Sequence, residues 1–249
     1  MKLVLKCRLA FVVAMRYVRG YESYIPLYVQ RVRELYPSSK IIIVDNNSLY
    51  PDEILHDISF DDDIYFLVNT SETKFEVGAY KLAIDFLELS IRDPIDYVVF
   101  SQDTFLPNKQ LDFDLLKKNR VMAAPFGNYY QDGYRIDFVR RALKAVELNE
   151  IDKPAVFCWC CCFVLAKEKL SALRLYLEPQ IAKTREDSSA AERYLGVMLY
   201  ELNGKALYGL DGDIRNLKYD CWTVDPICDR PDAFFVKKLQ QKTERTKDA

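Results

Sequence analysis

Short runs of apolar residues alternate with longer segments of helical periodicity through most of the chain. The apolar runs predict strands at residues 10–15, 41–44, 64–68, 96–101, 121–124, 156–165 and 205–210. Helices are predicted at residues 21–36, after Pro51, and at residues 77–91, 168–177 and 189–202. Residues 127–154 are polar and give no assignment. Strands that alternate with helices predict an α/β fold with a mostly parallel central sheet flanked by helices.

The predicted strand at residues 41–44 is apolar on both faces and runs directly into the polar turn Asp45-Asn-Asn-Ser48. Such a run is typical of a central strand that helices cover on both sides. The strand at residues 96–101 is followed in a similar way by Asp103. Because ligands of open α/β sheets bind outside the carboxyl ends of the strands, we expect Asp45 and Asp103 to open onto one cleft. That cleft would hold a nucleotide and a metal ion.

The chain has 249 residues, half of them apolar, which is enough for one large α/β domain. No linker divides it, so we predict a single domain over residues 1–249. A net charge of −2 gives no basic surface of the kind that nucleic acids bind, and no nucleic-acid partner is expected. The apolar run at residues 9–15 is far too short to span a bilayer, which favours a soluble protein without a membrane span.

Seven cysteines are an odd number, and four of them lie between Cys158 and Cys162. Neighbouring residues on a strand point to opposite faces, so these four cannot form a regular set of disulfides. We predict free thiols and therefore a reducing, cytoplasmic location. Zinc binding is the alternative, because Cys158 and Cys161 have the spacing of a ligand pair. The second pair, Cys221 and Cys228, does not have that spacing.

Asp103 and its neighbours are the first candidates for chemistry. The sequence Ser101-Gln-Asp-Thr104 offers one carboxylate and three neutral side-chain oxygens where a strand ends. A hard divalent cation, Mn²⁺ or Mg²⁺, prefers oxygen ligands and can join them to a diphosphate. There it would act as a Lewis acid on the leaving nucleoside diphosphate. The alternative interpretation is a simple turn.

Asp45 and Asp213 also allow two interpretations each. The side chain of Asp45 either caps the backbone amides of its own turn or accepts hydrogen bonds from a nucleobase or a ribose. Asp213, in the sequence Asp211-Gly-Asp213, is either a late ligand of the cation or one side of a glycine turn between solvated acids.

The order of motifs along the chain resembles that of the GT-A-fold glycosyltransferases, the nucleotide-diphospho-sugar transferases. Residues 44–48 resemble the nucleotide-recognition turn of that superfamily, which implies donor contacts by Asp45 and Asn47. Gly78-Ala-Tyr-Lys81 resembles the helix start whose basic residue often lies near the donor, and this implies a role for Lys81.

A further motif, Phe100-Ser-Gln-Asp103, resembles the Asp-x-Asp metal motif of the same superfamily, with Ser101 or its neighbour in place of the first acid. The resemblance implies that Asp103 binds the metal and that Gln102 lies beside the donor. It also implies one GT-A-like, Rossmann-like domain. Residues 1–125 would form the nucleotide-sugar-binding half and residues 126–249 the acceptor-side half. In its general character the chain is also similar to the short virus-encoded members of the superfamily.

An inverting transferase needs a carboxylate that takes the proton from the acceptor hydroxyl. In the related transferases an acidic pair precedes a glycine, and Glu192 precedes Gly204 in a similar way, with Arg193 in place of the second acid. The resemblance therefore implies Glu192 as the general base, and Asp187 is the second candidate. The competing interpretation is that Glu192 closes a capping box that begins at Ser189.

Basic residues near the two ends of the chain are candidates for contacts to the phosphates of the donor. Arg16 and Arg19 follow the first predicted strand. Lys237 and Lys238 lie in a predicted basic helix at the carboxyl terminus, which would fold over the donor as a similar tail does in some GT-A enzymes. The alternative for these lysines is an ordinary solvated surface.

The sequence thus predicts a metal-assisted, inverting glycosyltransferase. It would move a sugar from a UDP- or GDP-sugar to a hydroxyl of a glycan or of another acceptor. One rival is a nucleotidyltransferase that makes sugar nucleotides, although the glycine-rich phosphate loop of such enzymes is not present after the first strand. The other rival is a catalytically silent module that binds nucleotide sugars or glycans. The presence of Ser101 where the metal motif has an acid favours this alternative.

Overall fold

The computed structural model describes residues 7–125, 133–148, 158–210 and 234–237. Its strands are β1 Leu9–Met15, β2 Lys40–Asp45, β3 Ile64–Val68, β4 Tyr97–Gln102, β5 Phe105–Pro107, β6 Val121–Pro125, β7 Cys158–Ala166, β8 Tyr208–Gly209 and β9 Phe235–Lys237. Its helices are α1 Ile25–Leu35, α2 Asp52–Leu55, α3 Phe75–Leu89, α4 Phe113–Asn119, α5 Gly133–Lys144, α6 Leu170–Leu177 and α7 Arg185–Leu202. The prediction of an α/β fold with a mostly parallel sheet between helices is confirmed.

The main sheet has the strand order β3-β2-β1-β4-β7-β6-β8. Strands β3, β2, β1 and β4 are parallel to one another, whereas β7 is antiparallel to both of its neighbours, β4 and β6. From β1 the chain adds β2 and β3 on one side of the sheet and then crosses to place β4 on the other side. The order therefore reverses between β1 and β4, and this switch point is where open α/β sheets bind their ligands.

Apolar residues on both faces of β1 and β4 explain why these strands lie in the middle of the sheet. Val12 and Phe100 belong to a buried cluster with α3, α6 and α7, while Val13 and Val99 belong to a second cluster that includes α1. In the first cluster the rings of Phe100 and Phe163 are stacked, with 4.6 Å between their centroids. Helices thus pack against both faces of these two strands, as is usual for parallel sheets.

Several predicted boundaries need correction. The helix predicted at residues 21–36 begins only at Ile25, because Pro26 favours the first turn of a helix. The segment without an assignment contains α5, and the sequence also did not indicate α4. The helix predicted at Lys237 is wrong: Phe235–Lys237 is a strand that pairs with β5 in a separate two-stranded sheet. Residues 238–249, with Lys238, lie outside the described residues.

The amino terminus of α7 also differs from the expectation. The helix begins at Arg185, and Thr184 and Asp187 form its capping box. The capping box proposed for Ser189 and Glu192 is therefore wrong, because both residues lie inside the helix.

The cysteines in β7 are buried thiols without disulfide bonds, as expected for this part of the chain. Burial raises the pKa of the Cys158 thiol well above its ordinary value. Among the described helices, none has both the length and the apolar character needed to cross a membrane.

Candidate functional site

A cavity of about 390 Å³ lies at the switch point of the sheet. Its walls come from the carboxyl ends of β1 and β4, from the residues that follow β1, β2 and β4, and from the amino-terminal ends of α3 and α7. The lining residues are Ala14, Met15, Arg16, Asn46, Lys74, Phe75, Glu76, Gln102, Asp103, Thr104, Arg185 and Ser188. We call this space the switch-point cavity. Three residues predicted from the sequence, Arg16, Gln102 and Asp103, meet there.

Backbone hydrogen bonds fix the edge of the sheet at this cavity. The Asp103 N–H donates to the carbonyl oxygen of Ala14 at 3.0 Å, and the Asn46 N–H donates to the carbonyl oxygen of Met15 at 2.9 Å. The ends of β2, β1 and β4 are therefore held side by side, and the side chains that follow them have little freedom to move apart.

Glu76 joins three elements in the wall of the cavity. It lies in the first turn of α3 and is only 8% exposed. Gln102 at the end of β4 donates through Nε2 to Oε1 of Glu76, and Ser188 of α7 donates through Oγ to Oε2 at 2.9 Å. Burial raises the pKa of the Glu76 carboxyl, and the two side-chain donors only partly oppose this effect.

Asp103 lies beside Glu76 and is partly buried. Burial, together with the nearby charge of Glu76, raises the pKa of Asp103 to about 7, while backbone N–H donors act in the opposite direction. A carboxyl with this pKa changes its charge near neutral pH. A cation bound there would favour the ionised form.

Three cations line the same cavity. Arg16 and Arg185 are exposed and Lys74 is half-buried. Within the described ranges of the chain, the structure gives none of their side chains a hydrogen bond or an ion pair. The amino termini of α3 and α7 add partial positive charge, and α3 has no side chain that caps its first N–H groups. The cavity therefore favours an anionic ligand with more than one negative charge.

Asp45 differs from this group. Its side chain is fully buried, and its carboxylate accepts hydrogen bonds from the backbone N–H of Ser48 at 2.8 Å and from the Ser48 hydroxyl. The two acids expected to share a cleft are thus placed differently: Asp103 lines the cavity, whereas Asp45 is enclosed in its own turn. A nucleoside contact by Asp45 would require Ser48 to release it.

The turn after β2 instead presents Asn46 to the cavity. Asn69 donates from Nδ2 to Oδ1 of Asn46 at 2.9 Å, which fixes this amide. Asn47 is exposed and has a positive φ of 60°, which asparagine tolerates better than most residues.

Ser101 cannot take the place of the first acid of an Asp-x-Asp motif. It is fully buried, and its Oγ lies 2.8 Å from the hydroxyl of Tyr28, in the cluster on the α1 side of the sheet. Among the described residues no group of three His, Cys, Asp or Glu side chains is placed to hold a metal ion, and Asp213 lies outside those residues. Asp103 with the neutral oxygens of Gln102 and Thr104 fits only a cation such as Mg²⁺ that phosphates and water also ligate.

Glu192 lies on the face of α7 that carries Arg185 and Ser188, one turn beyond Ser188. Its Oε1 accepts a hydrogen bond from the Cys160 N–H at 2.9 Å. Cys160 and Cys161 both have positive φ angles, 48° and 53°, and distort β7 at this point. β-Bulges of this kind are common next to active sites.

Asp187, the second candidate base, closes the capping box. Its Oδ2 accepts from the N–H groups of Lys183 at 2.8 Å and Thr184 at 2.9 Å. Burial acts to raise the pKa of Asp187, but these two donors and the Thr184 hydroxyl outweigh it, and the pKa is lowered. A lowered pKa makes Asp187 a weak proton acceptor, so its geometry is that of a helix cap.

The predicted cation Lys81 is not among the lining residues of the cavity. Lys81 donates through Nζ to the carbonyl oxygen of Glu178 at 2.9 Å, just past the end of α6. The backbone of Lys237 pairs with Phe105, which follows Asp103 by two residues. This pairing places the backbone of Lys237 near the cavity-lining residues Asp103 and Thr104.

The sequence did not indicate Lys74, Glu76, Arg185 and Ser188. The only available signal was an acid at the start of an otherwise apolar helix, in the case of Glu76. No protein-family model matches the chain, and no curated protein matches it either.

Proposed function

We propose that this protein is a glycosyltransferase that moves a sugar from a nucleoside diphosphate to an acceptor hydroxyl, with the donor in the switch-point cavity. The observation that carries the proposal is the meeting of Arg16, Lys74 and Arg185 with Asp103 at the switch point of an α/β sheet. The volume of about 390 Å³ is in the range of small-molecule sites.

The charges of the cavity suit a diphosphate. Two arginines and a lysine, whose side chains have no partner within the described part of the chain, line it. Charge-assisted hydrogen bonds to phosphate oxygens are stronger than neutral ones. The amino termini of α3 and α7 add to the attraction for an anion. The cations would also stabilise the negative charge that develops on the leaving nucleoside diphosphate.

Asp103 is the residue that we propose to hold a divalent cation, Mn²⁺ or Mg²⁺, jointly with the diphosphate. Such a cation would supply Lewis-acid assistance to the leaving group. Glu76 supports this arrangement because it holds Gln102, the residue before Asp103, and connects it to Ser188 of α7.

Glu192 is the proposed general base. Glu192 is not among the residues that line the switch-point cavity, but it lies on the face of α7 that carries Arg185 and Ser188. From there its carboxylate would take the proton from an acceptor hydroxyl, and this would give inversion at the anomeric carbon. The acceptor would be a glycan or another hydroxyl compound. The thiols of β7 support a reducing, cytoplasmic location.

The first experiment is a thermal-shift titration with UDP and GDP, each with and without Mn²⁺, on the wild-type protein and on Arg16→Gln. A ligand that binds only the folded state raises the unfolding temperature. At a concentration one hundred times its Kd, it adds about 2.7 kcal/mol to the free energy of unfolding. We expect one nucleotide to give a shift that Mn²⁺ enlarges and that Arg16→Gln reduces. Arg31→Gln is the control, because Arg31 lies on α1 and pairs with Glu34.

The second experiment measures release of the nucleoside diphosphate from UDP- and GDP-sugars in the presence of hydroxyl acceptors. Turnover supports the transferase. Binding without turnover would support the silent module, for which the burial of Ser101 against Tyr28 is the specific observation. Formation of a sugar nucleotide from a nucleoside triphosphate and a sugar phosphate would support the nucleotidyltransferase. No binding of any nucleotide would contradict all three.

A further inference from the structure

A second cavity, of about 310 Å³, lies between α5, the connection from α6 to α7, and α7 itself. Helix α7 contributes Asp187, Ala190 and Tyr194 to it, and these residues lie on the face of α7 opposite to Arg185, Ser188 and Glu192. This α5–α7 cavity is therefore separated from the switch-point cavity by the helix. The donor and the proposed transfer chemistry do not account for it.

Two polar side chains that are more than nine-tenths buried direct unused hydrogen-bonding atoms into this cavity. Tyr194 is 5% exposed, and its hydroxyl has no hydrogen-bond partner among the residues that the structure describes. Gln180 is 4% exposed; its Nε2 donates to the carbonyl oxygens of Ala142 at 3.0 Å and Tyr176 at 3.1 Å, which leaves its Oε1 as an unused acceptor. Neither of these two atoms is sealed from solvent, so both are available to form hydrogen bonds with an occupant of the cavity.

Two charged residues complete the polar part of the wall. Arg141 lies over the ring of Phe138, with 4.6 Å to the ring centroid, and its Nε donates to the carbonyl oxygen of Asp137. Its two terminal nitrogens remain available as donors. Asp187 uses Oδ2 in the capping box and leaves Oδ1 as an acceptor. The charges of Arg141 and Asp187 cancel, so the described wall of this cavity has no net charge.

The rest of the wall is apolar and shallow. Ala142, Ala145, Pro179, Ile181 and Ala190 supply it, and Ile181 is 59% exposed. A neutral ligand with neighbouring hydroxyl groups and an apolar carbon face matches these features. Each hydroxyl can accept from Tyr194 or Arg141 and donate to Gln180 or Asp187, while the carbon face packs on the alanines.

We propose that the α5–α7 cavity is a saccharide-binding site that holds one sugar unit of a glycan outside the donor site. A charged ligand would leave one of the two opposite charges unmatched. A purely apolar ligand would leave the Tyr194 hydroxyl and Gln180 Oε1 buried without partners, which is costly. The site does not depend on the transferase chemistry, since none of its lining residues belongs to the switch-point cavity.

The test is saturation-transfer NMR on the full chain with the methyl glycosides of glucose, galactose, mannose and N-acetylglucosamine as probes. Methyl glucoside with every hydroxyl methylated is the ligand control. We expect at least one free glycoside to bind, and we expect the methylated compound not to bind, because it has no donors for Gln180 and Asp187.

Two variants locate the binding. Tyr194→Phe removes only a hydroxyl that bonds to none of the described residues, so the fold should be retained. The Kd of the glycoside should rise about three- to tenfold for the loss of one hydrogen bond. Ala145→Trp places a large ring at an exposed position of the wall and should abolish binding. Tyr208→Phe is the matched control, because Tyr208 is 41% exposed and lies in β8, outside this wall.

The outcomes distinguish glycoside binding in the α5–α7 cavity from nucleotide binding in the switch-point cavity. Arg16→Gln should leave glycoside binding unchanged, and Ala145→Trp should leave the shift by UDP or GDP unchanged. The proposal is overturned if no glycoside gives saturation transfer, if the methylated compound binds as well as the free glycoside, or if Tyr194→Phe and Ala145→Trp bind like the wild type. Failure of nucleotide binding alone would overturn the transferase proposal and leave the saccharide site standing.

Discussion

Helix α7 lines a different cavity with each of two opposite faces, and the two cavities differ in charge. On one face, Arg185 and Ser188 border the switch-point cavity with its three cations and two carboxyls. On the other face, Asp187, Ala190 and Tyr194 border the α5–α7 cavity, whose lining has one cationic and one anionic side chain.

The difference follows from how each cavity is built. The ends of parallel strands and the amino termini of helices leave N–H groups and polar turns at one edge of the sheet, which favours anionic ligands. The other cavity lies between α5, α7 and the connection from α6 to α7, and its wall combines polar side chains of both signs with small apolar residues. If the two cavities are separate sites, a change on one face of α7 should leave the ligand of the other face bound.

The largest expected effect is on turnover, from Glu192→Gln. Loss of a general base typically lowers kcat by about 10²–10⁴-fold. The amide oxygen of glutamine still accepts from the Cys160 N–H, so the unfolding temperature should change little. The measurement is donor turnover beside a thermal melt, with Glu201→Gln on the same helix as the control. Full activity of Glu192→Gln would mean that Glu192 only supports the distorted part of β7.

The next largest effect is on stability, from Gly78→Ala. A Cβ at Gly78 would overlap with the carbonyl oxygen of Thr73 and with Nδ2 of Asn69, so helix α3 would have to move away from this loop. We expect a loss of about 3 kcal/mol, as for overpacking against backbone. Nucleotide binding at the switch-point cavity should weaken, because Lys74 and Glu76 move with α3, while glycoside binding in the α5–α7 cavity should persist.

Gly204→Ala is the matched control for that change. Gly204 has a positive φ of 69° and no atom near the position of a Cβ, so the cost is only that of the left-handed backbone, about 1 kcal/mol. Urea titration of both variants gives the comparison. Equal losses for the two glycines would show that the contact with Thr73 is relieved at little cost.

A smaller effect is expected from Arg185→Gln on the affinity for nucleoside diphosphate. Loss of one charged contact to a phosphate should raise the Kd about tenfold, which is about 1.4 kcal/mol, and the difference should shrink at high salt. Calorimetric titration with UDP or GDP measures it. Lys183→Gln, two residues away and paired with Glu72, should leave the Kd within error of the wild type.

The smallest effect is a pH dependence of stability due to Asp103. Because its pKa is raised from 3.8 to about 7 in the folded protein, the folded state keeps a proton that the unfolded chain has already lost. The wild type therefore loses stability from this group between about pH 4 and pH 7, and the loss stays constant above pH 7.

Asp103→Asn carries no charge, so its stability relative to the wild type should increase across that window and then level off. Partial exposure of Asp103 keeps the difference small. Urea midpoints at a series of pH values measure it, and the exposed Asp62→Asn is the control. A difference that does not vary with pH would contradict the raised pKa.

Local patterns in the sequence were sufficient to place part of the switch-point cavity. The apolar residues on both faces of β1, β2 and β4 predict central strands, and the polar residues that follow them must then lie at one edge of the sheet. Arg16, Gln102 and Asp103 were found in this way. The same reasoning could not show that Asp45 is enclosed, because the nearby Ser48 competes for its carboxylate.

The other cavity could not be predicted from the sequence at all. Gln180 and Tyr194 are ordinary residues of a loop and a helix, and α5 carries few of the signals that indicate a helix. Their unused polar atoms become visible only when α5, α6 and α7 are packed together.

By itself, then, the sequence determined the strands of the main sheet, most of the helices and the acids that follow two of those strands. These features depend on residues within a few positions of one another, and hydrophobic periodicity records them directly. Only the tertiary structure decided that Lys74, Glu76 and Arg185 join Asp103, that β7 is antiparallel, and that Lys237 lies in a strand beside β5. Those contacts join segments far apart in the chain, and packing complementarity, which no local pattern encodes, selects among them.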